Sequence, residues 1–184
     1  GLRADQQSFG LHLAGGDTTS VHGPLSLSLT ALGLVDKEKM LRRSGAEAGD
    51  HIYVSGSIGD AALGLMSLNG QLNPHFERDD ALEQRYFLPE PRVALGRKLA
   101  GIASSCMDIS DGLLQDMGHL CAASGTGARL QRGSLPLSDS ARGLVDTYPE
   151  LWDAITGGGD DYELLFTAPA MQTERIAGIA AELG

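Results

Sequence analysis

The sequence predicts a mixed β-sheet covered by helices. Short apolar strands are interleaved with longer stretches of helical periodicity, and the strands are few. The chain has 184 residues, of which 42% are hydrophobic and 21% are charged. That length and composition are typical of one globular domain, with or without a small extra lobe, that buries its own core.

Each element follows from a local pattern. Apolar runs or period-two alternation predict strands at residues 11–14, 25–32, 51–55, 105–109, 128–130 and 162–167. Apolar stripes and good helix formers predict helices at residues 60–68, 80–87, 92–102, 111–123, 138–148, 150–155 and 172–183, after the tail of a helix at residues 1–10. Asp60 is expected to cap the helix that it begins, and residues 73–80 are expected to form a polar connection.

The charge of the chain narrows the choice of partners. The formal net charge is −10 and there is no basic run, which argues against nucleic acid as the main partner. An acidic protein that handles phosphate needs a divalent cation between the two negative partners. No apolar run is long enough to predict a membrane span.

The thiols and imidazoles show no reactive pattern. Cys106 and Cys121 do not form a CxxC pair, so we interpret them as reduced thiols of a cytoplasmic protein, with Cys106 buried and inert. The histidines share no metal-ligand spacing and are expected to be structural or exposed; they are His12, His22, His51, His75 and His119.

The motif with the clearest chemistry is Asp-Ile-Ser-Asp-Gly at residues 108–112. A strand is predicted to deliver Asp108 at its end, with Ser110 and Asp111 at the start of the next helix. A helix N-terminus offers free N–H groups to phosphate, and carboxylates are ligands that Mg²⁺ prefers. The alternative is that Ser110 or Asp111 only caps the helix. The second acidic residue, which a cap does not need, favours the phosphate and metal interpretation.

Two further glycine-rich acidic segments are weaker signals. Gly-Gly-Asp-Thr-Thr at residues 15–19 places Asp17 after a predicted strand, where it is able to reach a metal, but for this motif alone a tight turn is the better explanation. Gly-Gly-Gly-Asp-Asp-Tyr-Glu at residues 157–163 forms an acidic rim suited to a cationic substrate, or simply a solvated loop. Residues 54–65 lack the P-loop and dinucleotide-binding patterns, which favours close packing of a helix on the sheet.

Taken together and in order, these motifs resemble the thiamine-monophosphate kinase family. The matching segments are residues 15–19, 43–46, 49–56, 59–65, 89–92, 108–113 and 158–164. Each motif alone is weak, whereas the ordered set is specific and covers nearly the whole chain. The resemblance implies an α+β domain of the kind found in the C-terminal halves of the aminoimidazole ribonucleotide synthase-like superfamily.

The resemblance also implies an activity and its residues. The family transfers phosphate from ATP to thiamine monophosphate, gives thiamine diphosphate and requires Mg²⁺. Carried over by motif, Asp108 and Asp111 would bind Mg²⁺, Ser110 would contact the ATP phosphates and Asp160 would contact the substrate. Asp160 stands where the family has Glu, and Ser20 stands where the family tends to have an Arg that meets ATP. Phosphoryl transfer depends mainly on positioning and charge neutralisation, so no side chain is expected to act as a catalytic base.

The family pattern leads to expectations about the whole protein. The chain is expected to be the C-terminal domain, shortened at both ends, without the N-terminal ATP-binding domain, and therefore inactive alone. Family enzymes are homodimers, so the full-length protein is expected to be one. Two alternatives stay open: another ATP-dependent synthase of the superfamily that acts on an aminoimidazole precursor or selenide, and a non-catalytic homologue.

Overall fold

A computed structural model describes residues 2–72 and 79–183 of the chain. The chain divides into two compact units, Gly1–Lys37 and Glu38–Gly184. The polar connection expected at residues 73–80 lies mostly outside the described residues.

The first unit contains one helix, α1 (Leu2–Phe9), followed by chain without regular secondary structure. The strands predicted at residues 11–14 and 25–32 are therefore wrong for this structure, because no strand forms among residues 2–37. The alternating leucines remain exposed, for example Leu27 at 87% and Leu32 at 92%. A strand needs a neighbour to take its backbone hydrogen bonds, and within this unit the alternating segment has none.

The second unit is built on a three-stranded sheet in the order β1–β3–β2. The strands are β1 (His51–Val54), β2 (Ser105–Asp108) and β3 (Leu164–Ala168), and β3 pairs antiparallel with both of its neighbours. The predicted α+β class is confirmed, with the detail that both described pairings are antiparallel where a mixed sheet was expected. The predicted strand at residues 128–130 is wrong, because these residues have no regular secondary structure.

In the described part of the second unit, residues 38–72 and 79–183, seven helices cover the two faces of the sheet. They are α2 (Asp60–Leu68), α3 (Asp80–Phe87), α4 (Val93–Leu99), α5 (Leu113–Ser124), α6 (Asp139–Thr147), α7 (Trp152–Gly157) and α8 (Thr173–Leu183). The helix predicted at residues 150–155 is confirmed in α7 from Trp152 onward, and it is preceded by a 3-10 turn, Pro149–Leu151. Short 3-10 turns also occur at Arg132–Ser134 and Ala170–Gln172.

Alternation along the strands supplies two cores, one on each face of the sheet. On one face Leu165 packs with Ile58, Leu113 and Ile155. On the other face Phe166 packs in a smaller core with helical residues that include Leu99 and Ile176. Because successive side chains of a strand point to opposite faces, neighbouring residues of β3 serve different cores. The central strand is thereby buried on both sides, which holds the ends of β1 and β2 in fixed positions.

The expected cap of α2 differs in the structure. Gly59, with φ 81°, is the N-cap, while the Asp60 carboxylate accepts hydrogen bonds from the hydroxyls of Ser57 and Ser138, both at 2.5 Å. The free N–H groups at the start of α2 donate instead to Asp161, from Gly59 at 2.8 Å and from Ala61 at 3.4 Å. A carboxylate from a distant loop therefore replaces the local cap, and this links α2 to the acidic glycine-rich segment.

No helix among residues 2–72 and 79–183 is long and apolar enough to cross a membrane.

Candidate functional site

The motif at residues 108–112 lies where β2 ends, as the sequence predicts. Asp108 is the last residue of β2 and Asp111 precedes α5, and both side chains are exposed. Ile109, between them, is completely buried in the larger core. The buried isoleucine anchors the turn, and its two acidic neighbours are left facing solvent.

The turn is held from inside by a carboxylate that the sequence analysis missed. Asp116, in the first turn of α5, is 2% exposed. Its Oδ2 accepts hydrogen bonds from the backbone N–H groups of Ser110 at 2.9 Å and Asp111 at 3.0 Å. An acidic residue in a first helical turn was visible in the sequence, but it is also an ordinary preference of helix N-termini.

This geometry corrects two expectations about the turn. The amides of Ser110 and Asp111 donate to Asp116, so these two groups are not free to bind phosphate. Neither side chain caps the helix, because α5 begins at Leu113 and its N-cap is Gly112 with φ 103°. Asp111 instead accepts a hydrogen bond from the side chain of Gln115 at 3.0 Å.

The glycine-rich acidic segment packs directly against this turn. The N–H of Asp160 donates to the carbonyl of Ser110 at 3.0 Å, and the N–H of Tyr162 donates to the carbonyl of Ile109 at 2.8 Å. The N–H of Ile109 in turn donates to the carbonyl of Glu163 at 2.8 Å. We call residues 108–112 and 158–163 the interlocked loops.

Glycine is required at two contacts between the interlocked loops and their surroundings. A Cβ on Gly159 would collide with the Ser110 carbonyl, and a Cβ on Gly112 would lie 2.7 Å from the Gly157 carbonyl group. Gly112 also has φ 103°, a conformation that other residues rarely adopt. The glycines that were conspicuous in the sequence therefore allow two backbones to approach closely.

Tyr162 contacts one of the predicted site carboxylates and lies within range of the charges of two others. Tyr162 is 44% exposed, and its hydroxyl donates to Asp160 Oδ1 at 3.3 Å. The pKa of Tyr162 is raised, first by the charge of Asp160 and then by desolvation, with further contributions from the charges of Asp108 and Asp111. The structure thus brings Asp108, Asp111 and Asp160 together at one acidic edge, and it adds Tyr162, which the sequence analysis did not single out.

Asp160 and Tyr162 hold unusual backbone conformations, with φ 71° and φ 50°. Left-handed backbone in residues other than glycine is uncommon and concentrates at functional sites. Between them, Asp161 is buried, and burial raises its pKa to about 6 despite two hydrogen bonds from backbone amides. The alternation sends Asp160 and Tyr162 toward solvent and Asp161 toward the interior.

Behind the acidic edge lies a buried ionic network that sequence analysis also missed. Glu163, 1% exposed, accepts hydrogen bonds from Arg85 at 2.7 Å, from Arg92 at 2.7 Å through two guanidinium nitrogens, and from Ser55 at 2.5 Å. The hydrogen bond and the charge of Glu163 raise the pKa of Arg92, against the lowering effect of its burial. The network ties β1, α3 and the segment before α4 to the loop that carries Asp160.

The donors at the acidic edge suit Mg²⁺. Within the described ranges 2–72 and 79–183, no group of three or more His, Cys, Asp or Glu side chains is arranged to hold a metal ion by itself. Mg²⁺ is commonly bound by only one or two carboxylates and completes its shell with waters and substrate phosphates. Two exposed carboxylates on a rigid turn, Asp108 and Asp111, fit that requirement.

Of the other predicted candidates, Asp17 belongs to the first unit, and Cys106 and His51 belong to the second. In the first unit Asp17 is exposed and its carboxylate accepts a hydrogen bond from the N–H of Thr18 at 2.8 Å, which is local turn geometry. In the second unit Cys106 is buried, and burial, together with the charge of Asp108, raises the pKa of its thiol to about 11. His51 has a partner in Thr173 at 3.2 Å, and His75 lies outside the described residues.

The fold and the loops define a known class of protein. Residues 47–182 match the family model described as AIR synthase related protein, C-terminal domain, and the chain belongs to this family. Within it, the chain is similar to thiamine-monophosphate kinases, which confirms the resemblance drawn from the motifs. It is 43% identical over 177 residues to that kinase of Salmonella typhimurium, covering 96% of this chain and 54% of the relative.

Solved structures agree with this placement. The crystal structure of thiamine-monophosphate kinase from Stenotrophomonas maltophilia K279a is 41% identical with a TM-score of 0.72, over 81% of this chain and 48% of that one. AaThiL complexed with AMPPCP and TMP is 35% identical with a TM-score of 0.64, over 72% and 43%. The chain spans about half the length of the curated relatives it matches.

Proposed function

We propose that the protein carrying this chain is a thiamine-monophosphate kinase that uses ATP and Mg²⁺ to make thiamine diphosphate. The observation that supports this most strongly is the backbone hydrogen bonding between the loop that carries Asp108 and Asp111 and the loop that carries Asp160. These carboxylates come from the two motifs that the resemblance assigns to metal and to substrate. AaThiL, a relative of similar fold, was solved with an ATP analogue and TMP.

In this proposal the turn at the end of β2 binds Mg²⁺ and the phosphates of ATP. Asp108 and Asp111 would hold Mg²⁺, which when bound neutralises phosphate charge and orients the transferred group. The Ser110 side chain would contact the ATP phosphates. Because the Ser110 and Asp111 amides are already bonded to Asp116, the turn offers phosphate its side chains rather than these two amides.

Asp160 would contact thiamine monophosphate, which is the phosphate acceptor. Its backbone N–H donates a hydrogen bond to the Ser110 carbonyl at 3.0 Å. This bond keeps Asp160 at a constant distance from the turn that would bind Mg²⁺. A carboxylate suits the positive thiazolium ring of thiamine, and the Tyr162 hydroxyl donates a hydrogen bond to the Asp160 side chain. The acceptor is a phosphate that is already ionised near neutral pH, so no residue of this chain is needed as a base.

The test is ADP release by the full-length protein with ATP, Mg²⁺ and thiamine monophosphate. Asp108→Asn is expected to reduce turnover by 100-fold or more, on the order of the effect of removing one transition-state contact, while the melting temperature changes little. Asp146→Asn, an exposed aspartate on α6, is the matched control and is expected to keep full turnover. ATP consumption only with an aminoimidazole precursor or selenide would refute the kinase assignment.

We propose in addition that the full-length protein is a cytoplasmic homodimer, as the family pattern implies. Both cysteines are free thiols, which fits a reducing compartment. Light scattering coupled to size exclusion measures the mass, and a monomer at micromolar concentration would refute the dimer.

A further inference from the structure

We propose that Asp116 is a positioning residue of the metal-binding turn, and this inference rests on the proposed function. Asp116 is almost completely buried, at 2% exposed. A single oxygen, Oδ2, receives the N–H groups of Ser110 and Asp111. The carboxylate therefore acts on the two predicted ligand-bearing residues through their backbone, and not on a ligand directly.

The position of Asp116 in α5 explains how it reaches the turn. It lies in the first turn of the helix, and helical side chains lean toward the N-terminus. The N–H of Asp116 donates to the Gly112 carbonyl at 3.0 Å, which fixes its own backbone beside the turn. A buried carboxylate is costly without hydrogen-bond partners, and the two backbone amides of the turn supply them to Asp116.

One peptide group links Asp116 to both ends of the site. The peptide between Ser110 and Asp111 donates its N–H to Asp116 at 3.0 Å and accepts, at its carbonyl, the N–H of Asp160 at 3.0 Å. If the hydrogen bond to Asp116 is lost, the peptide group between Ser110 and Asp111 is free to rotate. Its carbonyl, which accepts the hydrogen bond from Asp160, rotates with it. Asp116 therefore sets the separation between Asp111, which would bind Mg²⁺, and Asp160, which would contact thiamine monophosphate.

A purely structural role makes a different prediction. Any buried carboxylate with two hydrogen bonds stabilises its surroundings, and its removal lowers stability. A positioning role requires, in addition, a weaker affinity for Mg²⁺ in protein that is still fully folded. Outer-shell partners of metal ligands typically change metal affinity by about 10–100-fold when removed.

The experiment compares three variants in the full-length protein at a temperature where all are folded. Asp116→Ala removes both acceptors. Asp116→Asn keeps an oxygen that is able to accept hydrogen bonds from both amides but replaces the carboxylate by a neutral amide. If the alanine variant does not fold, Asp116→Asn still allows the measurement. Leu144→Ala, a truncation in the larger core on α6, is the stability-matched control.

Two measurements do not depend on turnover. Calorimetric titration with Mg²⁺ and a non-hydrolysable ATP analogue is expected to show about 10–100-fold weaker metal binding for Asp116→Ala, a smaller loss for Asp116→Asn and less than a two-fold change for Leu144→Ala. Hydrogen exchange of the peptide covering residues 108–113, without ligand, is expected to be faster in the two Asp116 variants only.

Two results would overturn the positioning role. One is an unchanged Mg²⁺ affinity in a folded Asp116→Ala variant, and the other is hydrogen exchange at residues 108–113 that is equally fast in the Asp116 variants and in Leu144→Ala. Failure of the proposed function is recognised separately, as absence of ADP release from the wild-type protein with thiamine monophosphate. In that case the metal titration and the exchange still decide whether Asp116 positions the turn.

Discussion

Replacing Gly159 by alanine tests whether the interlocked loops depend on close backbone approach. A Cβ at this position would collide with the carbonyl oxygen of Ser110 and lie 3.3 Å from the Cα of Asp111. The contact is with backbone, which cannot rotate away as a long side chain does. The two loops must therefore separate, and the hydrogen bond from the Asp160 N–H to Ser110 must lengthen or break.

The cost follows from these two effects. Loss of the hydrogen bond costs about 1 kcal/mol, and forcing packed backbone apart costs about 1–3 kcal/mol. Gly159→Ala is thus expected to lower the free energy of unfolding by about 2–4 kcal/mol. Gly157→Ala is the matched control: it lies in α7, a Cβ there meets nothing within 4 Å, and loss of glycine flexibility is expected to stabilise the protein by about 0.5–1 kcal/mol.

Urea unfolding of the full-length proteins, followed by tryptophan fluorescence, measures both variants. The chain has one tryptophan, Trp152, at the start of α7, with the guanidinium of Arg132 4.1 Å from its ring centroid. With an m-value of about 2 kcal/mol/M, the midpoint for Gly159→Ala should fall by about 1–2 M. Equal midpoints for Gly159→Ala and Gly157→Ala would refute the argument that close approach requires glycine here.

Three further predictions concern buried groups. Because burial raises the pKa of Asp161 to about 6, above about 3.9 when unfolded, the free energy of unfolding of the wild-type protein should fall by about 2 kcal/mol relative to that of Asp161→Asn as the pH rises from 4 to 7; a pH-independent difference would contradict this. Glu163→Gln should destabilise by about 3–5 kcal/mol in thermal or urea unfolding, since it leaves two arginines without their buried partner, whereas the exposed Glu90→Gln should cost less than about 1 kcal/mol; equal effects would argue against the network. Cys106, whose thiol pKa is raised to about 11, should react with a thiol reagent at pH 8 far more slowly than the half-buried Cys121, as followed by mass spectrometry.

The sequence predicted the parts of the fold that depend on local patterns. Strands at His51–Val54 and Ser105–Asp108 and helices such as Asp139–Thr147 lie within a few residues of their expected bounds. The alternating segment at residues 25–32 failed because period-two alternation predicts a strand only where a neighbour pairs with it. Pairing is a long-range property that the segment does not contain.

In the candidate site, too, local motifs predicted some residues, and only the structure showed the others. Asp108, Ser110, Asp111 and Asp160 were predicted as site residues from motif and resemblance, and the structure brings their two loops together. Asp116 was missed because an acidic residue early in a helix has an ordinary local explanation. Only the observed contacts, which join it to residues five and six positions back, separate its role from that of a simple helix-end charge.

The strict in-and-out order of residues 160–163 constrains how this loop is able to change over evolution. Asp160 and Tyr162 face outward, while Asp161 and Glu163 are enclosed and bonded to α2 and to the arginines. Inserting or deleting one residue would exchange the two sets, placing an aromatic ring where a carboxylate is needed and exposing the ionic network to water. Substitutions that respect shape and charge are open to this segment, but its length is not free to vary.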